Sequence, residues 1–108
     1  MVSGSTSTRG LAYEAFGLVA ALVEEMDSGG ELDCDVSEGA VKIEKDGIVY
    51  LISWHEPSSQ VWVASPRSGS VRFVYSEDRK LWIDEQGRGE LMDFIKEEVG
   101  VLFGLSLK

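Results

Sequence analysis

The chain has 108 residues, 44% of them apolar and 27% charged, the make-up of one globular domain with a modest core rather than of a disordered segment. Acids outnumber bases nineteen to ten, a net charge of −9, which repels phosphate backbones and anionic lipid and argues against nucleic-acid and membrane-surface binding. The single cysteine, Cys34, excludes an internal disulfide and a multi-cysteine zinc site, and no apolar run approaches the roughly 20 residues of a membrane span. The charge is also polarised. Residues 1–46 hold ten acids and three bases, a net of −7, and residues 47–108 hold nine acids and seven bases, a net of −2.

Residues 1–10 are small and hydroxylated, with Arg9 as their only charge. They read as a flexible segment, a transit-peptide remnant or a linker, with the domain proper at 11–108. From Leu11 to Met26 the residues Leu11, Ala15, Phe16, Leu18, Val19, Leu22, Val23 and Met26 recur at steps of three and four, which predicts an amphipathic helix. Ser28-Gly29-Gly30 stops it. The period then falls to two: Leu32, Cys34 and Val36 alternate with Asp33 and Asp35, predicting a strand with its apolar side inward and its aspartates outward. Val41 and Ile43 alternate with Lys42 and Glu44, and Asp46-Gly47 signals a hairpin before the apolar run Ile48 to Trp54. Gln60–Ala64, Val71–Tyr75 and Leu81–Ile83 read as further strands. From Glu90 the helical period returns, with Leu91, Phe94, Ile95, Val99 and Leu102 in register. The expected fold is α+β, with two terminal helices on one face of an antiparallel sheet of five to six strands, because short connections give a meander and each helix has a single apolar stripe. The other sheet face then meets solvent.

Two features stand out as candidates for function. Glu14, Glu24, Glu25, Asp27, Glu31, Asp33 and Asp35 form a run with no intervening Lys or Arg, and as one ridge they would offer hard oxygen ligands to iron or a similar cation. The spacing makes no closed cage, so binding there is expected to be weak; the other reading is a solvated face that serves solubility. The second feature is Gln60-Val61-Trp62-Val63-Ala64. If the valines face the helices, Trp62 stands on the open sheet face as an interface anchor; with the opposite parity it lies inside. Trp54 carries the same ambiguity, whereas Trp82 reads as packing. His55, the lone histidine, has no partner at the spacing of a nucleophilic triad. Cys34, between Asp33 and Asp35, reads as a core thiol.

The combination of Asp33-Cys34-Asp35-Val36-Ser37, Gly39-Ala40-Val41, Glu56-Pro57, Gln60-Val61-Trp62-Val63-Ala64-Ser65-Pro66, Ser68-Gly69 and Arg72-Phe73 resembles frataxin, the small iron-binding protein of iron-sulfur cluster assembly, from about Leu11 to Leu102. The resemblance implies a two-helix layer on an antiparallel sheet. It implies an acidic ridge, here Glu14, Glu24, Glu25, Asp27, Glu31, Asp33 and Asp35, that binds ferrous or ferric iron weakly and meets the cysteine desulfurase. It also implies an open sheet face, here Ser53, His55, Gln60, Trp62 and Arg72, that contacts the scaffold protein. Ser53 and Trp54 stand where mitochondrial members commonly show Asn and a basic residue, and His55 where Gln is usual. The function so implied is allosteric activation of the desulfurase and scaffold, with iron delivery; ferroxidase or storage activity, and a metal-independent acidic adaptor, are the alternatives. Ser65-Pro66 to Arg72-Phe73 looks closer to mitochondrial members, so the expectation is a monomer of the mitochondrial matrix or a derived organelle, or of the cytoplasm if the source is bacterial.

Overall fold

Burial alternates along the strands in the middle of the chain: Val41 and Ile43, Tyr50 and Ile52, Val61, Val63 and Ser65, Val71 and Phe73, and then Trp82 and Asp84 are buried, and the single residue between successive members of each set is not. In the computed structural model, which describes residues 7–105, helix α1 (Thr8–Met26) precedes six strands, β1 (Asp33–Ser37), β2 (Ala40–Lys45), β3 (Ile48–His55), β4 (Gln60–Ser65), β5 (Gly69–Ser76) and β6 (Leu81–Asp84), and helix α2 (Leu91–Phe103) ends the domain. The strands pair antiparallel with their sequence neighbours, in the order β1-β2-β3-β4-β5-β6. Connections of this length cannot make the crossover that a parallel pair needs. Asp46 and Gly47 both take positive φ, as a tight hairpin of this hand requires.

Both helices lie on the face of Val41, Tyr50, Val61 and Phe73. Ala12, Phe16, Val19 and Val23 of α1 and Leu91, Ile95, Val99 and Phe103 of α2 share one core with them. The expected two-helix layer on an antiparallel sheet is thus what the chain forms, with six strands. In each helix a single stripe turns inward because a helix repeats every 3.6 residues, and the sheet gives it only one apolar surface to cover.

Three local expectations need correction. Helix α1 begins at Thr8, three residues before Leu11, because the Ser7 hydroxyl oxygen accepts from Gly10 N at 3.0 Å and caps it; residues 1–6 of the expected flexible segment fall outside the described residues. The buried stripe of α2 contains Glu98 and Phe103, which apolar spacing alone passed over, and Leu102 is only partly buried. The third correction concerns β1, whose five residues are all exposed. Cys34 pairs with Ile43 and Val36 with Val41, so both point to the helix side, yet Cys34 is exposed and Val36 is 52% exposed. As an edge strand β1 has one neighbour, and α1 faces it with the short Ala20 and Ala21 beside Val23. A groove of about 540 Å³ remains between them, lined also by Glu24, Asp27, Leu32, Cys34 and Val36.

Candidate functional site

The parity at β4 is settled by its neighbours. Val61 and Val63 are buried against the helices, and Trp62 stands on the open face opposite Ser53 of β3 and Arg72 of β5. All five residues expected on this surface, Ser53, His55, Gln60, Trp62 and Arg72, occupy it together. The indole is held from several directions. Its Nε1 donates to Gln60 Oε1 at 2.9 Å, the His55 ring stacks on it with centroids 3.7 Å apart and planes within 12°, and the Arg72 guanidinium sits 4.7 Å from the ring centroid, a cation–π distance.

The polar network behind the stack fixes its orientation. Trp62 Nε1 can only donate, so the Gln60 oxygen faces it and the Gln60 amide nitrogen donates to Glu85 Oε2 at 3.0 Å. Ser58 Oγ donates to the same Gln60 oxygen at 3.0 Å. With that proton committed, His55 Nδ1 donates to Ser58 Oγ at 2.7 Å. The face therefore presents a rigid aromatic, a guanidinium and an imidazole. The other tryptophans point away from it. Trp82 is 5% exposed in the core, and Trp54 packs edge-on against it at 6.1 Å while its Nε1 donates to Glu56 Oε1 at 2.6 Å.

The seven acids do not converge on one site. Glu24 and Asp27 line the α1–β1 groove, whereas Asp33 and Asp35 share a separate concavity with Lys42 and Glu44. Glu14 lies in a third place, a cleft with Tyr75, Lys80 and Trp82 near α2, and Glu25 is exposed about three turns further along α1. Two of the seven are occupied by the fold. Both Asp27 oxygens accept backbone N–H groups, from Glu31 at 2.9 Å and Leu32 at 2.8 Å, and Glu31 Oε1 pairs with Lys45 Nζ at 2.6 Å. That pairing pushes the Lys45 ammonium above its ordinary value. Among the described residues no three His, Cys, Asp or Glu side chains converge as a metal centre, so the set does not fit a resident metal. Asp33 stands directly opposite Glu44 across β1 and β2, and the Glu44 carboxylate pairs with Lys42 Nζ at 3.6 Å. Cys34 is not the core thiol expected; desolvation and the Asp35 and Glu24 carboxylates nonetheless push it up, away from the reactive thiolate.

One polar cluster escaped the sequence reading. Glu98, 1% exposed, accepts from Arg67 Nη1 at 2.9 Å and Ser68 Oγ at 2.6 Å, both on Oε2. Burial alone would push its carboxyl up, but the hydrogen bonds from Ser68 and Arg67, with the Ser65 hydroxyl and the Arg67 charge close by, outweigh it and hold the group below the usual carboxylate range. Glu98 Oε1 and the Tyr50 hydroxyl are buried without a geometrically sound partner, and desolvation together with the nearby carboxylate pushes the phenol far up. An acid at a stripe position beside Val99 was the available signal, and its partners lie thirty residues away.

The family model described as a frataxin-like domain matches residues 9–105. The iron-sulfur cluster assembly protein CyaY of Thioalkalivibrio sulfidiphilus is 29% identical over 87 residues, 80% of this chain and 80% of that protein. CyaY of Shewanella baltica is 30% identical over 90 residues, 82% and 78% of the two chains. Among solved structures, frataxin from Psychromonas ingrahamii superposes with a TM-score of 0.79 at 20% identity, covering 94% of this chain and 92% of that one. Trimeric frataxin from the yeast Saccharomyces cerevisiae, complexed with ferrous iron, gives 0.70 at 23%, covering 95% and 91%. These curated relatives are bacterial, and the expected mitochondrial character finds no support in them. No described helix is long and apolar enough to cross a membrane. Matched from Arg9 to Leu105 and built as the same sheet under two helices, the chain belongs to the frataxin-like family.

Proposed function

We propose that the protein serves iron-sulfur cluster assembly as a regulatory, iron-binding partner of the cysteine desulfurase and its scaffold protein, accelerating sulfur transfer without a chemical step of its own. The observation that carries this reading is the His55–Trp62–Arg72 stack on the open sheet face. A half-buried, hydrogen-bonded indole in solvent is an anchor already held in place for a partner. Family membership and the function named in the bacterial relatives support it. The acids of α1 and β1 supply a second surface, which meets a basic patch on the desulfurase. Iron acts there as weakly held cargo on few ligands, Asp33 and Asp35 with Glu44 first among them. A monomer carries both surfaces. The bacterial relatives favour the cytoplasm as its compartment, and a free thiol suits reducing conditions. A ferroxidase has less support, because di-iron oxidation draws ligands together inside a helical bundle and the described acids point to separate places.

The test is the rate of sulfide or cluster production by purified desulfurase and scaffold. Addition of the protein should raise it, and Trp62→Ala should abolish the increase. A rate indifferent to the wild-type protein would sink the reading.

A further inference from the structure

The open sheet face is not flat. Its register sets two rows across β3, β4 and β5: Leu51 opposite Ala64 opposite Ser70, and beside it Ser53 opposite Trp62 opposite Arg72. Ala64 and Ser70 are too small to fill the space above them, and Leu51, Trp62 and Arg72 stand around it. The result is a cavity of about 220 Å³ opening to solvent, larger than the ~150 Å³ that admits a ring-sized apolar molecule in a protein interior. Its walls do not depend on a partner to take shape, because Trp62 is pinned by Gln60 and by the His55 stack. Its rim is charged on one side only. Among the described residues Arg72 has no carboxylate within ion-pair distance, whereas Arg9, Arg67 and Arg88 each have one.

We propose that this cavity is the specificity pocket of the docking face, and that it takes one aliphatic side chain, of the size of leucine or methionine, from a partner loop that also brings an acidic residue to Arg72. The inference rests on the reading of the open face as the docking surface and adds the chemistry of what docks. An apolar floor accepts the aliphatic group because transfer from water favours it. A free guanidinium over an indole selects a carboxylate beside it, since its planar fork matches carboxylate geometry. A basic loop is repelled by the same group, so the pocket discriminates by sign as well as by shape.

Filling the cavity from its floor tests this without touching the Trp62 hydrogen bond. Ala64 and Ser70 are exposed, so Ala64→Leu and Ser70→Leu should melt like wild type. Calorimetry with the purified scaffold–desulfurase complex as the probe should show each losing about 10- to 100-fold in affinity, the worth of one buried aliphatic side chain. Arg72→Gln should lose several-fold and flatten the salt dependence of binding. If both filled variants fold and bind as wild type while Trp62→Ala loses binding, the pocket is overturned and the docking face stands. If Trp62→Ala also binds as wild type, the face itself is wrong and both fall. An Arg72→Gln variant with unchanged affinity and salt dependence overturns the acidic part of the proposed ligand.

Discussion

At the scale of the residue, the tryptophans make the sharpest comparison. Trp62→Ala removes an anchor from a surface, so affinity for the desulfurase–scaffold complex should fall roughly 30- to 1000-fold while thermal unfolding stays cooperative. Trp82→Ala empties a core site and should cost about 3 to 5 kcal/mol in urea denaturation, more than Trp62→Ala does. A larger stability loss for Trp62→Ala than for Trp82→Ala would contradict the assigned parity. Glu98 gives a prediction in pH. Its carboxyl is held below the unfolded range, around 4.3 for glutamate, so it stabilises the fold fully above that range and the contribution disappears as pH falls through the lower, folded value. Glu98→Gln keeps the shape but weakens the bond to Arg67, and should lower stability at neutral pH by about 1 to 3 kcal/mol. Its stability should also change less than that of wild type between about pH 5 and pH 2. Parallel acid limbs for the two proteins would show that Glu98 is not the group responsible.

At the scale of the element, β1 and the end of α1 behave differently from the rest of the sheet. The strand pairs on one side only, and its two aspartates discourage another chain from pairing with the free edge. Asp33 also faces Glu44 across the ladder, a like-charge pair that costs stability. Asp33→Asn should therefore raise stability by about 0.2 to 1 kcal/mol and weaken ferrous iron binding, whose dissociation constant should lie on the order of 10⁻⁵ M for so open a site. Paramagnetic broadening of amides in β1 and β2 would locate that iron; broadening centred on α2 would refute the assignment. For the helix surface, Glu24→Lys with Glu25→Lys should slow association with the desulfurase more than Glu97→Lys, which is exposed on α2. Glu98 is no surface control, because it is buried under the β4–β5 turn.

At the scale of the whole molecule, the net charge of −9 lies mainly in the first 46 residues, and the fold gathers most of that excess around α1, β1 and β2. Association with a basic partner should be steered by this end, with an on-rate several-fold lower at physiological than at low salt. Equal salt slopes for wild type and Glu24→Lys/Glu25→Lys, whose net charge is −5 in place of −9, would show that this end does not steer the encounter. The open face carries Asp33, Asp35 and Glu44 at its β1–β2 edge and Arg72 on β5, on the far side of Trp62.

By itself the sequence determined the order of elements, the one-sided helix layer and the parity choices open to each strand, because periods of 3.6 and 2 are local and repeat often enough to be read. It also placed Gln60 and Trp62 on one parity of one strand, and the family resemblance, not the periodicity, joined Ser53, His55 and Arg72 to them. Only the tertiary structure decided between outward and inward Trp62, since either choice satisfies alternation and burial of the valines under two helices breaks the tie. Only the tertiary structure separated the acids, because adjacency along a chain says nothing about which side of a strand or helix meets which neighbour: Asp27 was spent on a turn, Glu31 on Lys45, and Asp33 went to the face opposite Glu24. The exposure of Cys34 depended on where α1 stops covering an edge strand. The burial of Glu98 depended on Arg67 and Ser68, thirty residues distant, arriving to hydrogen-bond it. Such facts are differences between long-range alternatives, and no local pattern encodes them.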